Sequence, residues 1–121
     1  MSRSGRGERG TRAFLAGRHA ETIAALYLRL KGYRILASRY RTAVGEIDLI
    51  ARKGKAIIFV EVKWRPTLED GALAIHPRQQ DRIRRAAEWY LSHTGRQDIS
   101  GRFDVVLVVP WRLPRHIKNA W

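Results

Sequence analysis

An α/β sandwich, with a mixed central sheet flanked by helices, is the fold class that this 121-residue sequence predicts. Three observations point to it. Apolar residues recur at helical spacing in two segments, Ala13 to Lys31 and Pro77 to Ser92. Runs rich in β-branched and aromatic residues alternate with them, giving the order helix, three strands, helix, strand. The last run, Phe103 to Val109, is almost continuously apolar and suits a strand covered on both faces.

Residues 1–12, MSRSGRGERGTR, have no bulky apolar residue after Met1 and are expected to form a disordered basic arm. A domain over 13–110 follows. In its first helix Ala16, Ala20, Ile23, Ala24, Tyr27 and Leu30 make one apolar face, and Gly32 supplies a left-handed stop. Glu21 lies on the shoulder of that stripe, where spacing alone suits a solvated carboxylate. Tyr33 to Arg39 reads as the first strand. Arg39, Tyr40 and Arg41 then lead into a turn at Gly45, a basic and aromatic stretch that suits a nucleotide backbone and an unstacked base, or simply a soluble loop.

Gly45 to Arg65 reads as two strands joined by a tight turn at Arg52-Lys53-Gly54-Lys55. Period-two alternation puts Glu46, Asp48 and Ile50 on one face of the first strand, opposite Ile47, Leu49 and Ala51. On the second, Ile57, Phe59, Glu61 and Lys63 share a face. Asp48, Glu61 and Lys63 are thus charges inside the most apolar part of the chain, which is costly unless they are paired or bind a metal. Two readings fit. Glu61 and Lys63 can form an ordinary salt bridge, or the two carboxylates and the ammonium can converge on a hard divalent cation such as Mg²⁺.

Pro66 ends the strand, and 67–74 reads as a loop able to order over a substrate. The second helix opens on Pro77, and Ile83, Ala86, Ala87, Tyr90 and Leu91 form its buried stripe. Gln79 and Gln80 extend that stripe toward the N-terminus, where an amide can reach a metal site or a phosphate. Arg78, Arg82 and Arg85 share the opposite face, as a DNA-contacting ridge or a solvated one. Gly95 ends the helix. Asp104, inside the last strand, is expected to pair with an Arg, with a site role as the alternative. Residues 111–121 form a basic tail with Trp111 and Trp121, expected to dock on the body, a second subunit or nucleic acid.

Composition narrows the function classes. Twenty-four Lys and Arg against 11 Asp and Glu give a net charge of +13, an electrostatic argument for a polyanionic partner, nucleic acid first. No segment pairs a basic face with exposed bulky apolar residues as a membrane-surface helix does. There is no Cys, which excludes disulfides and thiolate zinc sites and agrees with a reducing cytoplasm. His19, His76, His93 and His116 show no ligand spacing.

Asp48 followed by Glu61-Val62-Lys63 resembles the signature of the restriction-endonuclease-like nucleases, the D…E-x-K superfamily. Four blocks, Gly17-Arg18-His19-Ala20-Glu21, Gly45-Glu46-Ile47-Asp48-Leu49-Ile50-Ala51, Phe59-Val60-Glu61-Val62-Lys63 and Arg102-Phe103-Asp104-Val105-Val106, resemble the YraN-like family of small bacterial proteins. That family is similar in pattern to archaeal Holliday-junction resolvases. The resemblance covers roughly 13–109 and implies a restriction-endonuclease-like three-layer sandwich. It also implies a metal-dependent endonuclease cutting DNA, branched DNA included, as a cytoplasmic homodimer. Asp48, Glu61 and the Val62 carbonyl would hold Mg²⁺ or Mn²⁺, Lys63 would act on the attacking water, and Glu21 would be a further site residue. The family pattern implies a Lys where Gln79 stands, so Gln80 is the amide expected at the site. Arg18, Arg39, Arg41, Lys53, Arg65 and Arg78 are the expected nucleic-acid contacts. The rival class is a nucleic-acid-binding protein that does not cut; a third is an interaction module for ribosome or nucleoid.

Overall fold

The computed structural model describes residues 18–67, 75–95 and 100–121. The basic arm expected over 1–12, the opening of the first helix with Ala16, and most of the 67–74 loop lie outside them. Helix α1 covers 18–30, followed by β1 (Arg34–Thr42), β2 (Gly45–Lys53), β3 (Ala56–Trp64), α2 (Pro77–Thr94), β4 (Ser100–Val108) and β5 (Arg115–Ile117). The strands form one mixed sheet in the order β1-β2-β3-β4-β5. Only β3 and β4 pair in parallel, because the crossover through α2 returns the chain to the same end of the sheet. The other neighbours are antiparallel.

Each helix covers one face, which makes three layers. Ala20, Ala24, Ala25 and Leu28 of α1 pack with Leu49, Ala51, Ile58, Val60, Val106 and Val108. Ile83, Ala86, Ala87 and Tyr90 of α2 pack with Ile50, Ile57, Phe59 and Val105 on the other side. Turn chemistry sets the element ends as the sequence suggests: Gly32, Gly54 and Gly95 all have positive φ. Gly45 answers a different need. A Cβ there would fall onto the carbonyl oxygen of Arg82 and 2.9 Å from its carbonyl carbon, so only glycine lets β2 start against the α2 backbone. That close approach sets the first turns of α2 over the end of the sheet where Asp48 and Glu61 lie.

Three expectations change, and the tail takes one of the places expected of it, the body. The buried stripe of α1 is turned, leaving Ile23 44 % and Leu30 80 % exposed, because the ridge of Ala20, Ala24 and Leu28 seats against the sheet. β1 runs on through Arg39, Tyr40 and Arg41, which therefore are not a loop; the Tyr40 ring stands edge-on to Tyr90 at 5.2 Å, packed inward. Ile47 joins the α2-side cluster instead of the face of Leu49. The tail adds β5 on the outside of β4, and Trp121 stacks on Phe103 at 5.3 Å.

Candidate functional site

Two carboxyl groups meet where β2 and β3 part. Their ladder runs from Lys53↔Ala56 to Leu49↔Val60 and stops, although both strands continue. Past that point the Asp48 side chain takes the place of a backbone acceptor: Oδ2 receives the Val62 N–H at 2.8 Å. The same parting frees β2 to twist, which accounts for Ile47 facing α2. Glu61, only 8 % exposed, stands beside Asp48, close enough for each carboxyl to shift the other. Gln79 Nε2 donates to Glu61 Oε1 at 2.7 Å, and Lys63 Nζ lies 4.0 Å from the same oxygen. Glu46, Asp48, Glu61, His76, Arg78, Gln79 and Arg82 line a cleft of about 340 Å³ beneath the start of α2.

Burial, and then the charge of Asp48, push the Glu61 carboxyl up to about 8, against the pull of Lys63 and Gln79. Burial also raises Asp48, and Glu21 and Glu46 add to it, while the Val62 N–H works the other way. At neutral pH the pair therefore holds one proton between the two carboxyls. Among the described residues no group of three or more His, Cys, Asp and Glu gathers as a metal cluster. Two carboxylates and a backbone oxygen nevertheless fit a magnesium-type ion, which keeps much of its water.

The shared proton has a measurable consequence. Glu61 is raised from 4.5 in the unfolded chain to about 8 in the fold, so its contribution to stability is intact below pH 4.5 and is lost as pH rises toward 8. In EDTA, wild type should lose a few kcal/mol relative to Glu61→Gln over that range, read from urea unfolding at each pH. Parallel pH profiles for the two proteins would contradict a shared proton.

Asp48, Glu61 and Lys63 lie together, with the Val62 N–H on Asp48. Gln80 does not join them. Its amide donates to the Ile75 carbonyl at 2.9 Å, and Gln79, one position earlier on α2, reaches Glu61 instead. Gln79 stands one helical step before Ile83 at i, i+4, which was the available signal. Glu21 lines a neighbouring depression on the α1 side with Arg18 and Arg39, and its Oε2 receives Arg39 Nε at 2.7 Å. Of the expected nucleic-acid contacts, Arg78 lines the cleft, and Arg82 lines it too. Arg41 is exposed and lies 3.6 Å from Glu46, and Arg65 donates to the Trp64 carbonyl. Lys53 sits at the far end of β2, donating to the Lys31 carbonyl and covering the Tyr33 ring, well away from the cleft. Of the α2 ridge, Arg85 is paired with Asp81 at 3.0 Å.

Asp104 belongs to a separate, structural cluster on the α1 face. Its carboxylate is fully buried and accepts from Arg102 through two nitrogens, from His116 Nε2 at 2.6 Å and from the Asn119 N–H. Burial pushes that carboxyl up, but these donors outweigh it and hold it at about 2.

The model of the uncharacterised protein family UPF0102 matches residues 20–108. The chain is 48 % identical to a UPF0102 protein of Caulobacter vibrioides strain NA1000 / CB15N, over all of this chain and 98 % of that one. It is 49 % identical to a UPF0102 protein of Parvibaculum lavamentivorans, over 99 % of this chain and 91 % of that one. A UPF0102 protein of Bradyrhizobium sp. strain ORS 278 is 53 % identical over 90 % of this chain and 78 % of its own. Among the described residues no helix is long and apolar enough to cross a membrane.

Proposed function

The chain belongs to the UPF0102 family, the YraN-like family that its sequence blocks resemble, and from that premise we propose that it is a divalent-cation-dependent endonuclease hydrolysing DNA phosphodiester bonds. One observation carries the reading. Asp48 and Glu61 form a buried carboxyl pair with the Lys63 ammonium beside it, at a cleft in a chain of net charge +13.

Asp48 and Glu61 would hold Mg²⁺ or Mn²⁺. On an extended strand the N–H and C=O of one residue point to the same side, so the Val62 carbonyl faces the β2–β3 gap with its N–H and suits a third ligand. The ion, when bound, would neutralise the carboxylates and polarise the phosphoryl group. Val62 N–H and Gln79 Nε2 fix the two carboxylates in place. Lys63 orients the attacking water, assists its deprotonation and offsets the charge that builds on the phosphoryl oxygens. Arg78 and Arg82, on the α2 side of the cleft, receive the flanking phosphates. Glu21 acts at the margin, where its charge is felt at Asp48. Branched DNA is the proposed substrate class, and concerted cutting of two strands calls for a homodimer. A cytoplasmic location fits a DNA substrate and a chain without Cys.

Gln79 favours a second reading, since it stands where the family resemblance implies Lys: a protein that binds nucleic acid without cutting it. The two separate on a panel of linear, single-stranded, flapped and four-way DNA incubated with Mg²⁺ or Mn²⁺. The nuclease reading predicts metal-dependent cutting, strongest on branched forms. Tight, salt-sensitive binding with no cutting in either metal would leave the second reading standing.

A further inference from the structure

A groove of about 600 Å³ opens at the carboxyl ends of the parallel strands β3 and β4, on the α1 side of the sheet. Ligand crevices in open α/β sheets form at that end. Its walls include Ile23, Trp64, Trp111 and Leu113, and its polar lining is His19 and Arg112. Among the described residues no Asp or Glu lines it, and Arg112 makes no ion pair. Trp64 is 39 % exposed and Trp111 wholly exposed, and among the described residues neither ring stacks on another aromatic. Trp111 also has a φ of 63°, a backbone state a bulky residue rarely takes, just after Pro110. Strain of that kind is retained where the fold needs a side chain held in place.

We infer that this groove receives the unpaired bases of a single-stranded DNA segment beside the phosphate at the Asp48–Glu61 cleft. Free indole faces with an arginine at hand are what successive bases stack on, and the absence of acid from the lining suits the phosphates between them. The groove and the cleft lie on opposite faces of the sheet but open at the same end of β3. Trp64 follows Lys63 directly and lies three residues from Glu61, about 10 Å along β3. A single strand passing round that end of the sheet would meet both within a few nucleotides. This narrows the proposed substrate to DNA with an unpaired arm, and it rests on the nuclease reading only for which phosphate is cut.

The test is binding of the full-length protein to a labelled oligodeoxythymidine and to a duplex of equal length, in EDTA, by fluorescence anisotropy. Trp64→Ala and Trp111→Ala should each weaken single-strand binding about 5- to 150-fold while changing duplex binding little. Trp64→Phe should recover most of the loss, since a ring remains. Arg112→Ala should lower the salt dependence of log K by about one unit. Unchanged single-strand binding, or equal losses on both DNAs, would overturn the inference. So would tryptophan variants that alter sedimentation as a dissociating dimer does, which would assign the groove to a second copy. Because no metal is present, the result is independent of cleavage. Tryptophan-dependent binding by a protein that never cuts sinks the nuclease reading alone; cutting that ignores both tryptophans sinks the groove alone.

Discussion

Lys63→Ala is expected to slow DNA cleavage about 10²- to 10⁴-fold under single-turnover conditions with saturating Mn²⁺. The proposed mechanism asks Lys63 for two things, an oriented water and a positive charge facing the phosphoryl oxygens, and alanine removes both. Stability at neutral pH should change little, because the Glu61 carboxyl 4.0 Å away is held up at about 8 and leaves no bare charge when the ammonium is removed. A large rate loss at near-constant stability marks chemistry, whereas a matching loss of both would mark a structural lysine. Glu61→Ala should lose at least as much activity, and it should lose the response to metal as well.

Asp104→Ala should cost about 3–5 kcal/mol of folding stability, measured by urea unfolding at neutral pH. One carboxylate accepts from two Arg102 nitrogens, from His116 Nε2 and from the Asn119 N–H, so its removal strands four donor groups around a fully buried position. The loss should be felt beyond β4. His116 is on β5 and its Nδ1 pairs with Lys31 at 2.7 Å, while Arg102 also donates to the Tyr33 hydroxyl at 3.0 Å. Hydrogen exchange should therefore quicken in β5. The pH dependence is opposite in sign to that of Glu61. Asp104 is lowered from 3.8 to about 2, so its stabilisation is present above pH 3.8 and is lost as pH falls toward 2. The gap between wild type and Asp104→Asn should close over that interval. A gap that stays constant, or a loss under about 1 kcal/mol, would mean the cluster is dispensable.

The sandwich, the β2–β3 pair and the α2 stripe were legible because short-range patterns fix them. Alternation placed Asp48 and Glu61, and glycines with positive φ marked three ends. What pattern could not give was the outcome of competition between elements. Stripes at 20, 23, 24, 27 and at 20, 24, 25, 28 differ by a modest rotation of one helix, and only packing against the sheet chooses between them. Which of two adjacent glutamines reaches Glu61 depends on the pitch of α2, set by the Gly45–Arg82 contact across some 37 residues of sequence. Arg39 looked free for DNA because Glu21, its partner, lies 18 residues away on another element. β5 is three residues long and carries no alternation of its own; it forms because His116 finds a buried carboxylate.

Calorimetric titration of the wild-type protein with Mn²⁺ at pH 7, in two buffers of different ionisation enthalpy, tests the central proposition most directly. On the proposed reading a cation displaces the proton that Asp48 and Glu61 hold between them, so binding should release close to one proton per ion. Glu61→Gln, which has no proton to give and one less charge, should bind far more weakly. Binding of the same strength in both proteins, or with no proton released, would contradict a cation site at this pair.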